Sequence, residues 1–107
     1  MSQPGESWLA DIVFTSGLAA KRRPVLVLKV DGPDSLVATV VSSAPRTETD
    51  VSLSDWAVAS LRRQSTVRLF KLDTLVSSRL VGRIGRVSPE DASALNEAWA
   101  THMRLAL

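Results

Sequence analysis

Hydrophobic and polar positions divide the chain into short β-type segments followed by one helical segment. Two apolar runs rich in β-branched residues, PVLVLKV at 24–30 and SLVATVVS at 35–42, flank the turn-forming sequence DGPD at 31–34. Apolar runs on either side of a tight turn predict a β-hairpin. A shorter apolar run, DIVF at 11–14, predicts a strand that precedes this hairpin.

Two more strands are predicted in the second half of the chain. In STVRLFKL at 65–72, the alternation places Val67 and Leu69 on one face of a strand. The opposite face is predicted to carry Thr66, Arg68, Phe70 and Leu72. RLVGRIGRVS at 79–88 alternates cations with apolar residues, and its GRIG stretch predicts a bulge. The intervening segment 51–64 is compatible either with a short strand and a turn of helix or with a loop that covers the core.

A helix is predicted to begin at SPED, residues 88–91. Serine is a capping residue, proline fits the first helical position, and acidic residues favour the first turn. One buried face is expected to carry the apolar positions that recur every three or four residues, Ala92, Leu95, Trp99 and Met103. The three tryptophans are expected to cover the edges of the core.

These elements predict a mainly β (β+α) fold in a single domain over 1–107. The chain has 107 residues, of which 45% are hydrophobic, and this length suits one compact core. With so many short strands and so little chain, a twisted antiparallel sheet that closes into a small half-open barrel is favoured over a two-layer sandwich. The C-terminal helix is expected to pack against this sheet.

Composition excludes several classes of chemistry. The chain contains no cysteine and a single histidine, His102, so disulfides, thiolate catalysis and cysteine-based zinc sites are excluded. No cofactor and no metal site are expected, and Glu48 and Asp50 lie in a polar loop where they are expected to be solvated. The sequence has no signal-peptide pattern and no run near the roughly 20 apolar residues of a membrane span, so a cytoplasmic location is expected.

Positive charge is unevenly distributed along the chain. The net charge is +2 and the sequence pI is about 9.7, but the segment from Arg62 to Arg86 contains seven arginines and lysines against one acid, Asp73. One interpretation is a polyanionic partner such as a nucleic acid. The alternative is that these side chains only solvate the edges of the sheet.

The stretch AAKRRPVLVL at 19–28 places three cations directly before a predicted strand. Because Pro24 restricts the preceding residue to an extended conformation, the Arg23 guanidinium is expected to be pre-positioned to hold phosphate oxygens. If the hairpin pairs as predicted, Ser42 and Ser43 lie near Arg23 and supply hydroxyl groups. The alternative is that the cations only protect a hydrophobic strand from aggregation.

These residues resemble the MazF/PemK family of toxin ribonucleases from bacterial type II toxin–antitoxin systems. The segments ADIVFTSGLAAKRRPVLVL, STVRLFKLDTL and VGRIGRVSPEDASAL follow the order of the family's motifs, and Ser42 with Ser43 matches its Thr-Ser pair. The resemblance implies a barrel of the CcdB/PemK (SH3-like barrel) type that works as a homodimer and is inhibited by a cognate antitoxin. It also implies metal-independent cleavage of single-stranded RNA that leaves a 2′,3′-cyclic phosphate and a 5′-hydroxyl.

The resemblance also implies roles for individual residues. Arg23 and Ser42 are the expected catalytic residues. Arg23 is expected to stabilise the transition state or transfer a proton, and Ser42 is expected to assist Arg23. The residues expected to contact RNA are Lys21, Arg22, Ser43, Arg46, Arg68 and Lys71.

The chain departs from the family pattern at three places. The loop after Val13 is shorter, serine replaces threonine at Ser42, and Phe70 stands where many members carry an aspartate. Two alternative functions are therefore kept. One is a catalytically inactive barrel that binds RNA or protein, and the other is a toxin of the same fold directed at gyrase.

Overall fold

A computed structural model describes residues 1–13 and 20–107 as a six-stranded antiparallel sheet with one helix. The sheet has the order β4-β5-β3-β2-β1-β6, and these strands do not close into a complete barrel, since β4 and β6 form its two edges. The predicted half-open, mainly β architecture is therefore confirmed. The elements are β1 (Glu6–Val13), β2 (Ala20–Asp31), β3 (Asp34–Val41), β4 (Asp50–Ser52), β5 (Thr66–Val76), a single 3₁₀ turn (Ser77–Arg79), β6 (Leu80–Arg86) and α1 (Pro89–His102).

The predicted hairpin is formed by β2 and β3. Asp31 pairs with Asp34, so Gly32 and Pro33 make a two-residue loop between the strands. Gly32 has a φ of 58°, a left-handed conformation that glycine adopts without steric cost. Turn chemistry that is local in sequence therefore sets the register of the hairpin.

Strand β1 begins at Glu6, earlier than the predicted start at Asp11. It lies between β2 and β6 and is hydrogen-bonded to both, so pairing on both sides extends it toward the N-terminus. Phe14, the predicted end of this strand, and the shortened loop after Val13 lie outside the described residues. The ladder with β6 shifts register twice, once within GRIG, which confirms the predicted bulge.

Strand β5 contains an irregularity that the alternating pattern did not predict. On β3, Ala38 and Thr39 are adjacent, but they pair with Leu72 and Arg68 respectively. Three residues of β5, at 69–71, therefore have no opposite partner in this ladder and form a bulge.

The bulge changes which side chains of β5 are buried. Val67 and Leu69 are buried on one face as predicted. Leu72, predicted for the opposite face, packs with the same core cluster, because the bulge resets the alternation. Phe70 is 76% exposed.

The buried residues form two clusters on opposite faces of the sheet. The helix-side core lies under α1 and the segment after β4, and it contains Leu26, Ala38, Val40, Leu53, Ala59, Val67, Leu69, Val87 and Leu95. The open-face cluster lies on the other side and contains Ala10, Val25, Val27, Val37 and Leu80. Successive residues of β2 alternate between the two clusters, as the period of a strand requires.

Helix α1 begins as the sequence predicts. Ser88 caps it by accepting a hydrogen bond from the backbone N–H of Asp91 at 3.1 Å. The buried Asp91 carboxylate in turn accepts the backbone N–H groups of Ser54 and Asp55, both at 2.8 Å. These contacts fix the segment after β4 against the start of the helix.

The prediction that Trp99 belongs to the buried face of α1 is wrong, since Trp99 is 38% exposed. The stripe that faces the core runs through Ala92, Leu95 and Ala98 at a spacing of three, together with Met103, so Trp99 falls at its margin. Within the described parts of the chain, no helix has both the length and the apolar character needed to cross a bilayer.

Between β4 and β5, the ambiguous segment 51–64 forms the end of a short strand followed by turns. Its buried residues Leu53 and Ala59 cover the helix-side core. The Ala59 carbonyl accepts a hydrogen bond from the Ser7 hydroxyl at 3.1 Å. A Cβ on Gly85 would meet this carbonyl closer than van der Waals contact permits, so glycine is required where this segment crosses β6.

Candidate functional site

One face of the sheet carries both arginines that the sequence singled out. Val25 pairs with Thr39, Thr39 with Arg68, and Arg68 with Asp50. Directly opposed residues of antiparallel strands project on the same face, as do residues two apart on one strand. Arg23 is two residues before Val25, so Arg23 and Arg68 lie on the face of the open-face cluster.

Arg23 is exposed at the start of its strand. Its side chain forms no hydrogen bond or ion pair with any described residue. The neighbouring Arg22 belongs to the other face, where its Nε lies 3.2 Å from the Asp11 carboxylate. The alternation of β2 thus divides the three consecutive cations between the two faces of the sheet. Lys21 and Arg23 are exposed on one face, and Arg22 pairs with Asp11 on the other.

Arg68 is held by a buried carboxylate on the edge strand. Its Nε lies 3.5 Å from Oδ1 of Asp50, whose side chain is only 3% exposed. The contact is an ion pair without hydrogen-bond geometry, and this buried Nε has no hydrogen-bond partner among the described residues. The Arg68 side chain remains 28% exposed, so a ligand can reach part of it.

The loop after β3 is attached at two points. Thr66 donates a hydrogen bond from Oγ1 to the Ser43 carbonyl at 2.7 Å, and the backbone N–H of Arg46 donates to Oδ2 of Asp50 at 2.9 Å. Ser42, Ser43 and Arg46 are themselves exposed. The two oxygens of one carboxylate, Asp50, therefore contact both Arg68 and this loop.

Arg23 and Ser42 lie at the same end of the hairpin. The β2–β3 ladder ends at the pair Val25–Thr39, and Arg23 precedes this pair while Ser42 follows it. No hydrogen bond joins the Arg23 and Ser42 side chains in the structure. The arrangement thus provides an exposed guanidinium and an exposed hydroxyl at one end of the hairpin, with Arg68 on the adjacent strand.

Lys71, another expected RNA contact, lies in the bulge of β5 and is exposed beside Phe70. The bulge adjoins the loop of Arg46, because the backbone N–H of Leu69 donates to the Thr49 carbonyl at 3.1 Å. The backbones of the bulge and of this loop are therefore in direct contact.

Two residues of this region, Asp50 and Thr66, were not identified from the sequence. The expectation that Asp50 is solvated is wrong, because its side chain is buried against Arg68. Only the register that pairs Asp50 with Arg68 reveals this role.

Within residues 1–13 and 20–107, no group of three or more histidine, aspartate or glutamate side chains is arranged to hold a metal ion.

The family model for PemK-like, MazF-like toxins of type II toxin–antitoxin systems matches residues 3–103. This chain belongs to that family. The match includes β2 and β5, the strands that carry Arg23 and Arg68, and the family resemblance seen in the sequence is confirmed. A search of curated proteins finds no match.

Solved structures of similar fold include family toxins, free and in complexes. An endoribonuclease in complex with its cognate antitoxin, from a mycobacterial species, has a TM-score of 0.78 at 19% identity and covers 100% of this chain and 99% of its own. The Mycobacterium tuberculosis toxin MazF-mt6 has a TM-score of 0.75 at 23% identity, and the match covers 95% of this chain and 99% of that toxin. A MazE–MazF complex from Deinococcus radiodurans has a TM-score of 0.69 at 19% identity, and the match covers 92% of this chain and 89% of the matched chain. At these identities the structures establish a shared fold.

A second charged cluster lies apart from Arg23 and Arg68, where β1 pairs with β6. Glu6 is 6% exposed, and its carboxylate accepts hydrogen bonds from Arg83 Nε at 2.7 Å, Trp8 Nε1 at 3.2 Å and the Gln3 backbone N–H at 2.7 Å. Burial alone would raise the pKa of Glu6, but these hydrogen bonds and the Arg83 charge together lower the pKa below its usual value. The cluster stabilises the edge of the sheet.

Proposed function

We propose that this toxin is an endoribonuclease that cleaves single-stranded RNA without a metal and leaves a 2′,3′-cyclic phosphate and a 5′-hydroxyl. Family membership and the endoribonuclease of similar fold support the proposal. The observation that carries it is the placement of Arg23 and Arg68 on one open face, beside the loop that bears Ser42.

The reaction requires positioned positive charge more than strong acid–base groups. The ribose 2′-oxygen attacks the adjacent phosphorus and loses its proton, the bond from phosphorus to the 5′-oxygen breaks, and that oxygen takes up a proton. Negative charge accumulates on the phosphorane oxygens, where guanidinium groups bind with two N–H donors each. In this proposal Arg23 stabilises the phosphorane and Ser42 assists through its hydroxyl.

The remaining cations extend the binding surface for RNA. Lys21 is exposed beside Arg23, and Lys71 and Arg46 are exposed beside Arg68. They would bind the phosphates on either side of the cleaved bond, with Ser43 as a further contact. Arg22 lies on the other face, where it pairs with Asp11, and is left out of this surface. We further propose a homodimer with RNA in the groove between subunits and a cognate antitoxin as inhibitor, since antitoxin complexes occur among the structures of similar fold.

RNA cleavage in EDTA tests the proposal. The purified chain is expected to cut single-stranded RNA, and end analysis should detect cyclic phosphates. Arg23→Ala should abolish cleavage with little change in Tm, because the Arg23 side chain has no partner among the described residues. Lys29→Ala, which removes an exposed cation further along β2, is the matched control and should retain activity. An Arg23→Ala protein that cleaves as fast as the wild type removes Arg23 from the mechanism.

A catalytically inactive RNA-binding barrel is the second candidate. The exposed Phe70 favours it, because this position next to Arg68 has an apolar ring and no acid–base group. RNA binding that weakens with salt, without any cyclic-phosphate ends, would support this candidate over the ribonuclease.

A further inference from the structure

We propose that Phe70 is a stacking platform for one unpaired base of the RNA. The inference rests on the proposed function, because it assigns a subsite to the RNA-binding face. Single-stranded nucleic acids are commonly bound by aromatic side chains on which bases stack, next to cations that bind the backbone.

The exposure of Phe70 follows from the bulge in β5. Leu69 is buried at 1% exposure while Phe70 is 76% exposed. The next residues of the strand do not cover the ring, since Lys71 is also exposed and Leu72 turns back to the helix-side core. The exposed ring offers a flat apolar surface that a ligand can cover.

Cations lie close to the ring along the chain. Arg68 and Lys71 flank Phe70 along the strand, and the loop of Arg46 adjoins the bulge through the Leu69–Thr49 hydrogen bond. The nearby acid Glu48 is directed to the helix, where its carboxylate lies 3.4 Å from Nδ1 of His102. A base on Phe70 would therefore have cations positioned for the phosphates on both sides of it.

The lack of another exposed large apolar side chain near the ring along β5 favours a base over a protein partner. The next exposed large apolar residue of β5 is Val76, six residues along and about 20 Å away in an extended strand. The cores of protein interfaces are contiguous apolar patches depleted in charge. A single ring between cations matches one nucleobase better than such a patch.

Binding measurements separate stacking from charge. The probe is a fluorescein-labelled single-stranded 12-mer of random sequence with 2′-O-methyl riboses, which cannot undergo the cleavage reaction. Phe70→Leu keeps an apolar side chain but removes the aromatic face, and it should weaken binding by roughly 5- to 100-fold. Phe70→Tyr should bind within about twofold of the wild type, because it keeps the ring. Val58→Ala, which removes another exposed apolar side chain at 62% exposure, is the matched control and should have no effect.

The salt dependence gives a second readout. Phe70→Leu should leave the slope of log Kd against log salt unchanged, whereas Lys71→Gln should reduce the slope by about 0.7. If Phe70→Leu binds as tightly as the wild type, or alters only the oligomeric state in sedimentation, the inference is overturned. It is overturned also if the wild type does not bind the probe.

RNA cleavage is assayed separately, so that the two proposals can fail independently. If the wild type cleaves RNA and Phe70→Leu binds normally, the ribonuclease proposal stands and the stacking platform is rejected. If the wild type binds without cleaving and Phe70→Leu binds weakly, the stacking platform stands and the ribonuclease proposal is rejected.

Discussion

The buried carboxylate of Asp50 and the guanidinium of Arg68 face each other across β4 and β5, with 3.5 Å between Oδ1 and Nε. Because the carboxylate side chain is 3% exposed, its charge is poorly screened by water and attracts Arg68 strongly. Asp50 also accepts the backbone N–H of Arg46. We therefore assign Asp50 a positioning role for Arg68 and for the adjacent loop.

Asp50→Asn tests this positioning role. An amide keeps an oxygen acceptor for the Arg46 N–H but removes the charge that pairs with Arg68, so kcat/KM for RNA should fall roughly 10- to 100-fold. Asp31→Asn, at the exposed hairpin turn, is the control. In an Arg68→Gln background the Asp50→Asn change should add almost nothing to the loss. Additive losses in this double-mutant cycle would contradict a role through Arg68.

Thr66→Val tests the attachment of the loop that bears Ser42. The change is nearly isosteric and removes the hydroxyl that donates to the Ser43 carbonyl at 2.7 Å. It should lower the free energy of unfolding by about 1 kcal/mol and reduce cleavage. Thr66→Ser keeps the hydroxyl and should cleave like the wild type, although the loss of a buried methyl group should lower its stability by about 1 kcal/mol. Equal cleavage by the two variants would show that the attachment does not matter for activity.

Glu6→Gln tests the charged cluster between β1 and β6 through its pH dependence. Because the folded-state pKa of Glu6 is lowered, its charge stabilises the fold fully above the unfolded-state pKa, and this contribution is lost as the pH falls through the folded-state value. At pH 7 the variant should be less stable by about 1–3 kcal/mol. The difference in Tm between wild type and variant should shrink below about pH 4.3. A constant difference across this range would mean that the Glu6 charge is not responsible.

Gly85→Ala tests the close approach between β6 and the segment after β4. A Cβ at this position would collide with the Ala59 carbonyl, so urea denaturation should show a loss of about 1–3 kcal/mol. Gly82→Ala is a matched control on the same strand, because nothing lies within 4 Å of its Cβ position. Equal stability of the two variants would mean that the covering segment moves without cost.

Local sequence signals predicted the elements whose geometry is set by neighbouring residues. Gly32 and Pro33 form the hairpin turn, and Ser88 with Pro89 starts the helix, as expected. In both places the turn or cap depends on side chains within a few positions of one another. Alternation in STVRLFKL also predicted that Arg68 lies on the face opposite the buried Val67 and Leu69.

Features that depend on pairing between distant strands were not predicted. The bulge that exposes Phe70 exists because β3 and β5 lose register between two pairs, and neither strand encodes this alone. Asp50 contacts Arg68 because β4 pairs with β5 across a separation of many residues. The early start of β1 at Glu6 likewise reflects partners on both sides.

The placement of β1 between β2 and β6 has a consequence for synthesis of the toxin. The first strand of the chain can gain its second hydrogen-bonded neighbour only when residues 80–86 have left the ribosome, after most of the chain has been translated. A nascent chain that ends earlier lacks the ladder supporting the strand next to Arg23. A fragment released by aborted translation should therefore lack the complete sheet that holds Arg23 in place.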